Sequence, residues 1–279
     1  MDITKKIFAS IKIIRPINVI ITFLVVVVAV LIIPEYETEL STLILASVSA
    51  ALVAASGNII NDIYDVEIDK ISHPNRVLVL GLLSKQEAMI EYIFLTSVSV
   101  SIASYLSVTL LIMVIITSAL LFTYALYFKK VPLTGNIVIA FITGLAFIYG
   151  GFAAGNPKAA IIPAVFAFLI NLIREIVKDI QDIEGDSAQN VKTFPIKYGI
   201  DSTKKLIAFI TIVLIAFTFY PFIMQLYKIE YFIVVMVFVN PILVLCLKFI
   251  FEKNNLLNKV SNLLKLNMIL GLISIYIGN

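Results

Sequence analysis

The segment Val19–Ile33 reads VIITFLVVVVAVLII and contains no charged residue. A membrane-spanning helix needs about 20 consecutive, mostly apolar residues, so this run makes up most of one. The strands of membrane β-barrels alternate apolar and polar residues, whereas this segment is apolar almost throughout. We therefore predict a transmembrane helix here.

The rest of the chain has the same character. Of its 279 residues, 61% are hydrophobic and only 14% are charged, and the mean hydropathy is +1.04. Soluble globular domains carry about 25% charged residues. Because a helix satisfies its backbone hydrogen bonds internally, a chain this apolar is predicted to fold as a bundle of membrane helices.

Nine apolar segments are the candidates for these helices. Their predicted bounds are residues 17–34, 41–63, 87–105, 107–128, 134–153, 160–180, 204–226, 230–251 and 257–278. The second and sixth run into polar sequence at their C-terminal ends, and Lys265 and Asn267 interrupt the ninth. The prediction is an all-α membrane protein with nine transmembrane helices.

The distribution of basic residues predicts the orientation. When the nine segments are threaded through a membrane, all of the 21 Lys and Arg residues except Lys158 and Lys228 fall on one side. Lys and Arg accumulate in cytoplasmic loops. We expect a cell-membrane protein whose N-terminus and polar loops are cytoplasmic. Topology explains the basic excess, so we expect no nucleic-acid partner, and the sequence indicates no obligate protein partner.

Two acidic clusters share one spacing. The first reads NIINDIYDVEID over Asn58–Asp69, and the second reads NLIREIVKDIQDIEGD over Asn171–Asp186. The aspartates with matching spacing are Asp62, Asp65 and Asp69 in the first cluster and Asp179, Asp182 and Asp186 in the second. Placed on α-helices, the polar residues of each cluster form one stripe. Such stripes are predicted to line a cavity, because ionisable groups at membrane depth avoid lipid.

A divalent cation would relieve the repulsion between so many carboxylates. Aspartate and asparagine oxygens suit Mg²⁺, which also takes oxygens of substrate phosphates. Two facing clusters therefore predict a site for Mg²⁺ and a diphosphate, which the metal makes a better leaving group. Arg76 and Lys192 follow the two clusters and are predicted to contact the diphosphate. The alternative interpretation, two solvated helix ends, does not explain the repeated spacing.

The pattern Asn61-Asp62-x2-Asp65-x3-Asp69 with Asp182-x3-Asp186 resembles the two aspartate-rich motifs of the UbiA superfamily of intramembrane prenyltransferases. The resemblance covers the whole chain. It implies nine transmembrane helices bundled around a central cavity, a single domain over residues 1–279, and a lateral opening for the prenyl tail. One departure is the loop Arg76–Gly81, which reads RVLVLG and lacks the prolines and serine of many relatives.

The resemblance, together with the basic residues near the clusters, implies roles for individual side chains. The expected metal ligands are Asn61, Asp62, Asp65, Asp69, Asp179, Asp182 and Asp186. The expected catalytic residues are Asp65, Asp69, Asp182, Asp186 and Tyr124. The residues expected to bind the diphosphate or an acceptor phosphate are Arg15, Asn58, Arg76, Lys129, Lys130, Lys178 and Lys192.

Within the superfamily, Arg174–Asp186 is similar to the archaeal ether-lipid branch. That branch implies Mg²⁺-dependent transfer of a geranylgeranyl group from geranylgeranyl diphosphate to geranylgeranylglyceryl phosphate, which forms the second ether bond of archaeal membrane lipids. Two other hypotheses stay open. The first is a prenyltransferase with an aromatic acceptor for quinone biosynthesis. The second is a cation transporter, since the matched clusters also fit an internal repeat.

Overall fold

The computed structural model describes residues 3–33, 38–188, 191–252 and 256–279, and every regular element in these ranges is helical. The helices are α1 (Ile3–Ile13), α2 (Pro16–Leu31), α3 (Leu40–Ser72), α4 (Lys85–Leu106), α5 (Val108–Leu126), α6 (Thr134–Ala153), α7 (Ile161–Gln181), α8 (Ile183–Ala188), α9 (Phe194–Tyr198), α10 (Ile200–Ile223), α11 (Ile229–Val234), α12 (Asn240–Glu252) and α13 (Leu257–Gly278). A 3₁₀ turn at Phe128–Lys130 follows α5, and a π-helical turn at Val235–Val239 joins α11 to α12.

All nine predicted segments coincide with helices, although the predicted end of the first, at residue 34, lies outside the described residues. The count of nine membrane spans is not confirmed. In the described part of the chain, seven helices are long and apolar enough to cross a membrane, or eight if α1 and α2, bent by 51°, form one span. Helix α7 is long enough, but Arg174, Glu175, Lys178 and Asp179 reduce its apolar length.

Helix α3 contains 33 residues. At 1.5 Å per residue it is about 50 Å long, whereas the hydrocarbon core of a bilayer is about 30 Å thick. The predicted segment 41–63 therefore ended too early, because the polar residues that follow continue the same helix. Asp65 and Asp69 of the first acidic cluster lie on this C-terminal extension of α3, and Asn58, Asn61 and Asp62 lie just before it.

Local sequence explains where several helices begin. Ser84 caps α4: its hydroxyl accepts the backbone N–H of Glu87 at 3.2 Å, and the Glu87 carboxylate accepts the backbone N–H of Ser84 at 2.8 Å. This reciprocal capping box satisfies two donors that the helix leaves unpaired. Pro16 occupies the first position of α2, where its missing N–H costs nothing. The residue before it, Arg15, has a φ of 55°, which sets the bend between α1 and α2.

Small residues bring the helices close together. Ser49 of α3 and Ser99 of α4 are fully buried, and their hydroxyl oxygens lie 3.0 Å apart. In α6, a Cβ added to Gly144 would lie 2.9 Å from the backbone oxygen of Ala164 in α7. Packing through small residues and short polar contacts is typical of membrane helices.

The two cluster-bearing helices are central to the bundle. Helix α3 packs against α2, α4, α5, α6 and α8, while α7 packs against α6, α10 and α13. Bulky side chains such as Phe94 and Phe209 are 64% and 65% exposed on outer helices, as expected of surfaces that face lipid. The fold therefore brings both acidic clusters to the interior, at the end of the bundle where α3 and α7 terminate.

Candidate active site

A cavity of about 670 Å³ lies where α3 and α7 end. Its lining includes all of the predicted metal ligands of both clusters: Asn61, Asp62, Asp65, Asp69, Asp179, Asp182 and Asp186. The two clusters therefore face the same space. The roles of these residues remain predictions, but their juxtaposition is a property of the fold.

In the first cluster the carboxylates are paired with basic side chains. Asp62 is buried and accepts hydrogen bonds from both Arg15 and Arg76. Asp65 is also buried and accepts from Lys129, and its Oδ2 accepts from the Asn61 amide at 2.7 Å. Three basic residues that are distant in sequence thus meet the cluster on one face of α3.

In the second cluster the partners differ. Asp179 accepts from the Asn136 amide at 3.0 Å, and Asp182 lies 3.2 Å from Nε2 of His73. His73 directly follows α3, so this contact joins the ends of the two cluster-bearing helices. Asp186 is buried, and its Oδ1 has no hydrogen-bond partner among the described residues.

The second cluster does not lie on one continuous helix, so that prediction is wrong. Helix α7 ends at Gln181, Asp182 caps it, and Asp186 belongs to the separate helix α8. Helix α8 packs on α3 at Gly185, where an added Cβ would collide with the Ser72 hydroxyl and lie 3.3 Å from the backbone oxygen of Ile68. This contact turns the chain away from α7 and brings Asp186 toward the first cluster.

The oxygen donors of this cavity fit a hard divalent cation. Two buried side-chain oxygens, Asn61 Oδ1 and Asp186 Oδ1, have no partner in the described structure, and they come from opposite clusters. Among the described residues no three Asp, Glu, His or Cys side chains converge closely enough to hold an ion. In the first cluster, arginine and lysine side chains contact Asp62, Asp65 and Asp69, which a cation would need. A metal would therefore bind by exchanging these partners.

Outside the spanning helices, the pKa values of the cavity's side chains reflect burial and the nearness of other charged groups. Burial raises the pKa of Asp186 to about 6, with the neighbouring Asp182 and Asp65 carboxylates also raising it. Burial alone lowers the pKa of Lys129, but Asp65, Asp186 and Asp69 raise it, and the net shift is upward. Lys129 is therefore a cation held between the two acidic clusters.

The predicted phosphate-binding residues divide into three groups. Arg15, Arg76, Lys129 and Lys178 line the polar cavity together with Tyr124. Lys130 and Lys192 are exposed and lie outside its lining, so the fold does not bring them to the clusters. Asn58 donates to the backbone oxygen of Ile14 at 2.8 Å and lines a neighbouring cavity instead.

That neighbouring cavity is mostly apolar. It has a volume of about 240 Å³ and extends between helices α2, α3, α5 and α6. Residues that line both cavities, including Tyr124, Asn61 and Lys178, mark where the polar space joins the apolar one. A smaller apolar cavity of about 70 Å³ continues toward α10 and α13 and shares Ile21, Val25, Thr143 and Met268 with it. The site thus suits a molecule with an anionic head and a long apolar tail.

Residues 19–269 match the UbiA prenyltransferase family. The chain belongs to this family. Over 196 residues, or 70% of each chain, it is 42% identical to the digeranylgeranylglyceryl phosphate synthase of Thermococcus sibiricus. It is therefore a multi-pass membrane prenyltransferase.

Solved structures of UbiA proteins have the same fold. A structure of a membrane digeranylgeranylglyceryl phosphate synthase is 29% identical, and the match covers 98% of each chain with a TM-score of 0.77. A UbiA homologue from Archaeoglobus fulgidus bound to GPP and Mg²⁺ matches 96% of this chain and 99% of its own at 19% identity, with a TM-score of 0.64. At that identity the likeness supports the fold alone.

The structure of this UbiA protein adds polar residues that were not among the predicted site residues. Arg174, Glu175 and Lys265 line both the polar and the apolar cavity, and Asn136 and His73 contact the second cluster. A signal was available for Lys265, because a lysine within an apolar span is uncommon and usually functional. Nothing in the local sequence links Asn136 to Asp179, since that contact depends on how α6 packs against α7.

Proposed function

We propose that this UbiA protein transfers a geranylgeranyl group from geranylgeranyl diphosphate to geranylgeranylglyceryl phosphate, forming an ether bond. The observation that carries this proposal is a polar cavity, lined by two acidic clusters, that opens into an apolar cavity. The similarity to digeranylgeranylglyceryl phosphate synthases supports the choice of acceptor. We further propose that residues 1–279 form one domain, since the family match spans residues 19–269.

The clusters would hold Mg²⁺ through Asn61, Asp65 and Asp69 on one side and Asp179, Asp182 and Asp186 on the other. The unpartnered oxygens of Asn61 and Asp186 support this assignment. When bound, Mg²⁺ neutralises the diphosphate and makes it a better leaving group. Asp62 differs from the other carboxylates, because Arg15 and Arg76 hold it, and its proposed part is to position those guanidiniums.

Basic side chains of the protein assist cleavage of the allylic C–O bond of the donor. Arg76 and Lys129 lie at the first cluster and are placed to bind the diphosphate, so negative charge that develops on it is stabilised. The allylic C–O bond breaks with its electron pair leaving on the diphosphate. The allylic cation that results needs a site without water, and the apolar cavity supplies one.

The hydroxyl of the acceptor glycerol completes the reaction. Its oxygen forms the new C–O bond, and its proton passes to the departing diphosphate, so the protein need not supply a strong base. Tyr124 lines both cavities, and its proposed role is to stabilise the cation. An aromatic face stabilises a nearby cation by about 0.5–2 kcal/mol.

A transfer assay with radiolabelled geranylgeranyl diphosphate tests this function. The purified protein is offered geranylgeranylglyceryl phosphate or 4-hydroxybenzoate as acceptor, with Mg²⁺ or with EDTA. We expect product only with the lipid phosphate and only with Mg²⁺. Transfer to hydroxybenzoate instead would establish the aromatic-acceptor alternative. Metal-dependent ion flux in liposomes without any prenyl substrate would establish the transporter.

We also propose that the acidic cavity faces the cytoplasm. The support is the charge distribution: only Lys158 and Lys228 fall on the far side when the apolar segments are threaded through a membrane. Short loops rich in basic residues are rarely moved across the membrane and stay in the cytoplasm, and this bias sets the orientation of membrane proteins. Water-soluble leaving diphosphate would then be released into the cytoplasm.

A further inference from the structure

The junction between the polar and the apolar cavity is rich in cations. Arg15, Arg174, Lys178 and Lys265 line both cavities, whereas Glu175 is the only acidic residue of the described chain that does so. These residues come from three parts of the chain: the bend before α2, the C-terminal half of α7, and the middle of α13. Tertiary packing therefore gathers the positive charge.

Glu175 balances only part of this charge. It is buried and accepts from Arg174 Nη1 at 3.0 Å and from Lys178. Arg15 is held by Asp62 instead. Among the described residues, Arg174 Nε is buried without a hydrogen-bond partner. Lys265 forms no hydrogen bond or ion pair with them, and Glu175 is the carboxylate whose charge acts on it. Arg174, Lys178 and Lys265 against Glu175 leave an excess of two positive charges, at a depth where unpaired charge is costly.

This junction differs from the diphosphate site at the aspartates. There the basic residues Arg76 and Lys129 are outnumbered by carboxylates, so an anion needs metal ions to bind. At the junction the cations are in excess, so an anion binds without metal. A phosphate monoester carries about −1.5 to −2 charges at neutral pH, which matches the excess.

We propose that Arg174, Lys178 and Lys265 form a second, metal-independent anion site that binds the phosphate monoester of the acceptor lipid. The apolar cavities that adjoin it, of about 240 and 70 Å³, receive the lipid chain. The proposal rests on the proposed function, because that reaction requires two anionic head groups in one site. It assigns the diphosphate to the aspartates and the monophosphate to the junction.

Kinetics with Lys265→Met test the assignment. This variant keeps the length of the side chain and removes its charge. We expect the KM for the acceptor lipid phosphate to rise at least about tenfold, because hydrogen bonds to charged groups are among the stronger ones. The KM for the diphosphate donor should stay within about twofold. Lys265→Arg should recover most of the acceptor affinity, and Lys205→Met, at an exposed position of α10, is the matched control.

Direct binding separates this site from the overall function. Oleoyl lysophosphatidic acid and monoolein differ only in the phosphate monoester, and both are titrated into the detergent-solubilised protein in EDTA. We expect the phosphate lipid to bind more tightly to the wild type and the difference to disappear in Lys265→Met and in Arg174→Gln. If the wild-type protein shows this preference but transfers no prenyl group to a lipid phosphate, the anion site is supported and the proposed function is wrong.

Two results would overturn the assignment. One is a rise in the donor KM of Lys265→Met with the acceptor KM unchanged, which would place the diphosphate at the junction. The other is equal binding of lysophosphatidic acid and monoolein by the wild-type protein. Either result leaves the aspartate site to be judged by its own Mg²⁺ dependence.

Discussion

Among the cluster carboxylates that the structure describes, Asp186 is the best candidate for a metal ligand. It is buried, its Oδ1 has no partner in the described structure, and α8 directs it toward Lys129 and Asp65. Asp62, Asp65 and Asp179 already accept hydrogen bonds from arginine, lysine or asparagine side chains, and Asp182 lies beside His73. A cation that enters the cavity therefore finds its first free oxygens at Asp186 and Asn61.

Asp186→Asn should abolish most of the Mg²⁺-dependent transfer. The amide has the same shape but lacks the charge, and removing one electrostatic contact from an active site lowers kcat by about 10²–10³-fold. Asp201→Asn, at an exposed position in the first turn of α10, is the control and should keep wild-type activity. Turnover with saturating acceptor is the measurement. Near wild-type transfer by Asp186→Asn would remove this residue from the metal site.

Sequence reasoning at this scale found the carboxylates but not their partners. The spacing of Asp62, Asp65 and Asp69 placed them on one helix face, because helical periodicity is a local property. Closeness in sequence was a poor guide to the basic residues. Lys192 is only six residues from Asp186 yet lies outside the cavity. Lys129 is distant from both clusters in sequence yet lies near the carboxylates of both. Which basic side chain meets which acid depends on contacts between helices.

At the scale of elements, the short helix α8 decides the position of Asp186. The apolar runs predicted nine helical segments, most of them within a few residues, because the length of an apolar run can be read from the sequence; the end of α3 was missed by nine residues. The break after Gln181 was not predictable, since it arises where Gly185 packs against Ser72 of α3. A contact between elements more than 100 residues apart leaves no local pattern.

Gly185→Ala should push α8 away from α3. An added Cβ would collide with the Ser72 hydroxyl, and overpacking of this kind costs about 1–3 kcal/mol. We expect a lower Tm in detergent and at least about a tenfold loss of transfer, because Asp186 moves with the helix. Gly271→Ala is the control: a Cβ there meets nothing within 4 Å, so its Tm should not fall.

Ser72→Ala removes the nearest atom of that contact and should restore part of the activity of Gly185→Ala. If Gly185→Ala behaves like the wild type in both Tm and turnover, the close contact between α8 and α3 does not hold Asp186 in place.

At the scale of the whole molecule, the charge asymmetry predicts which end of the bundle faces the cytoplasm. Cys246 is the only cysteine and is buried, so a Cys246→Ala background accepts single reporter cysteines. In intact cells a membrane-impermeant maleimide should label Lys158→Cys and spare Lys205→Cys. Inside-out vesicles should give the reverse. Labelling of Lys205→Cys from outside would invert the proposed orientation.

The paired carboxylates of the active site have a thermodynamic consequence. In the proposed site, Mg²⁺ takes Asp65 from Lys129, and the diphosphate takes Lys129 and Arg76 from their carboxylates. Each ligand therefore releases the groups that the other one binds. The two affinities are coupled, and reciprocity requires that Mg²⁺ strengthen diphosphate binding by the same factor by which diphosphate strengthens Mg²⁺ binding. Under the proposed assignment, binding of either ligand therefore favours binding of the other.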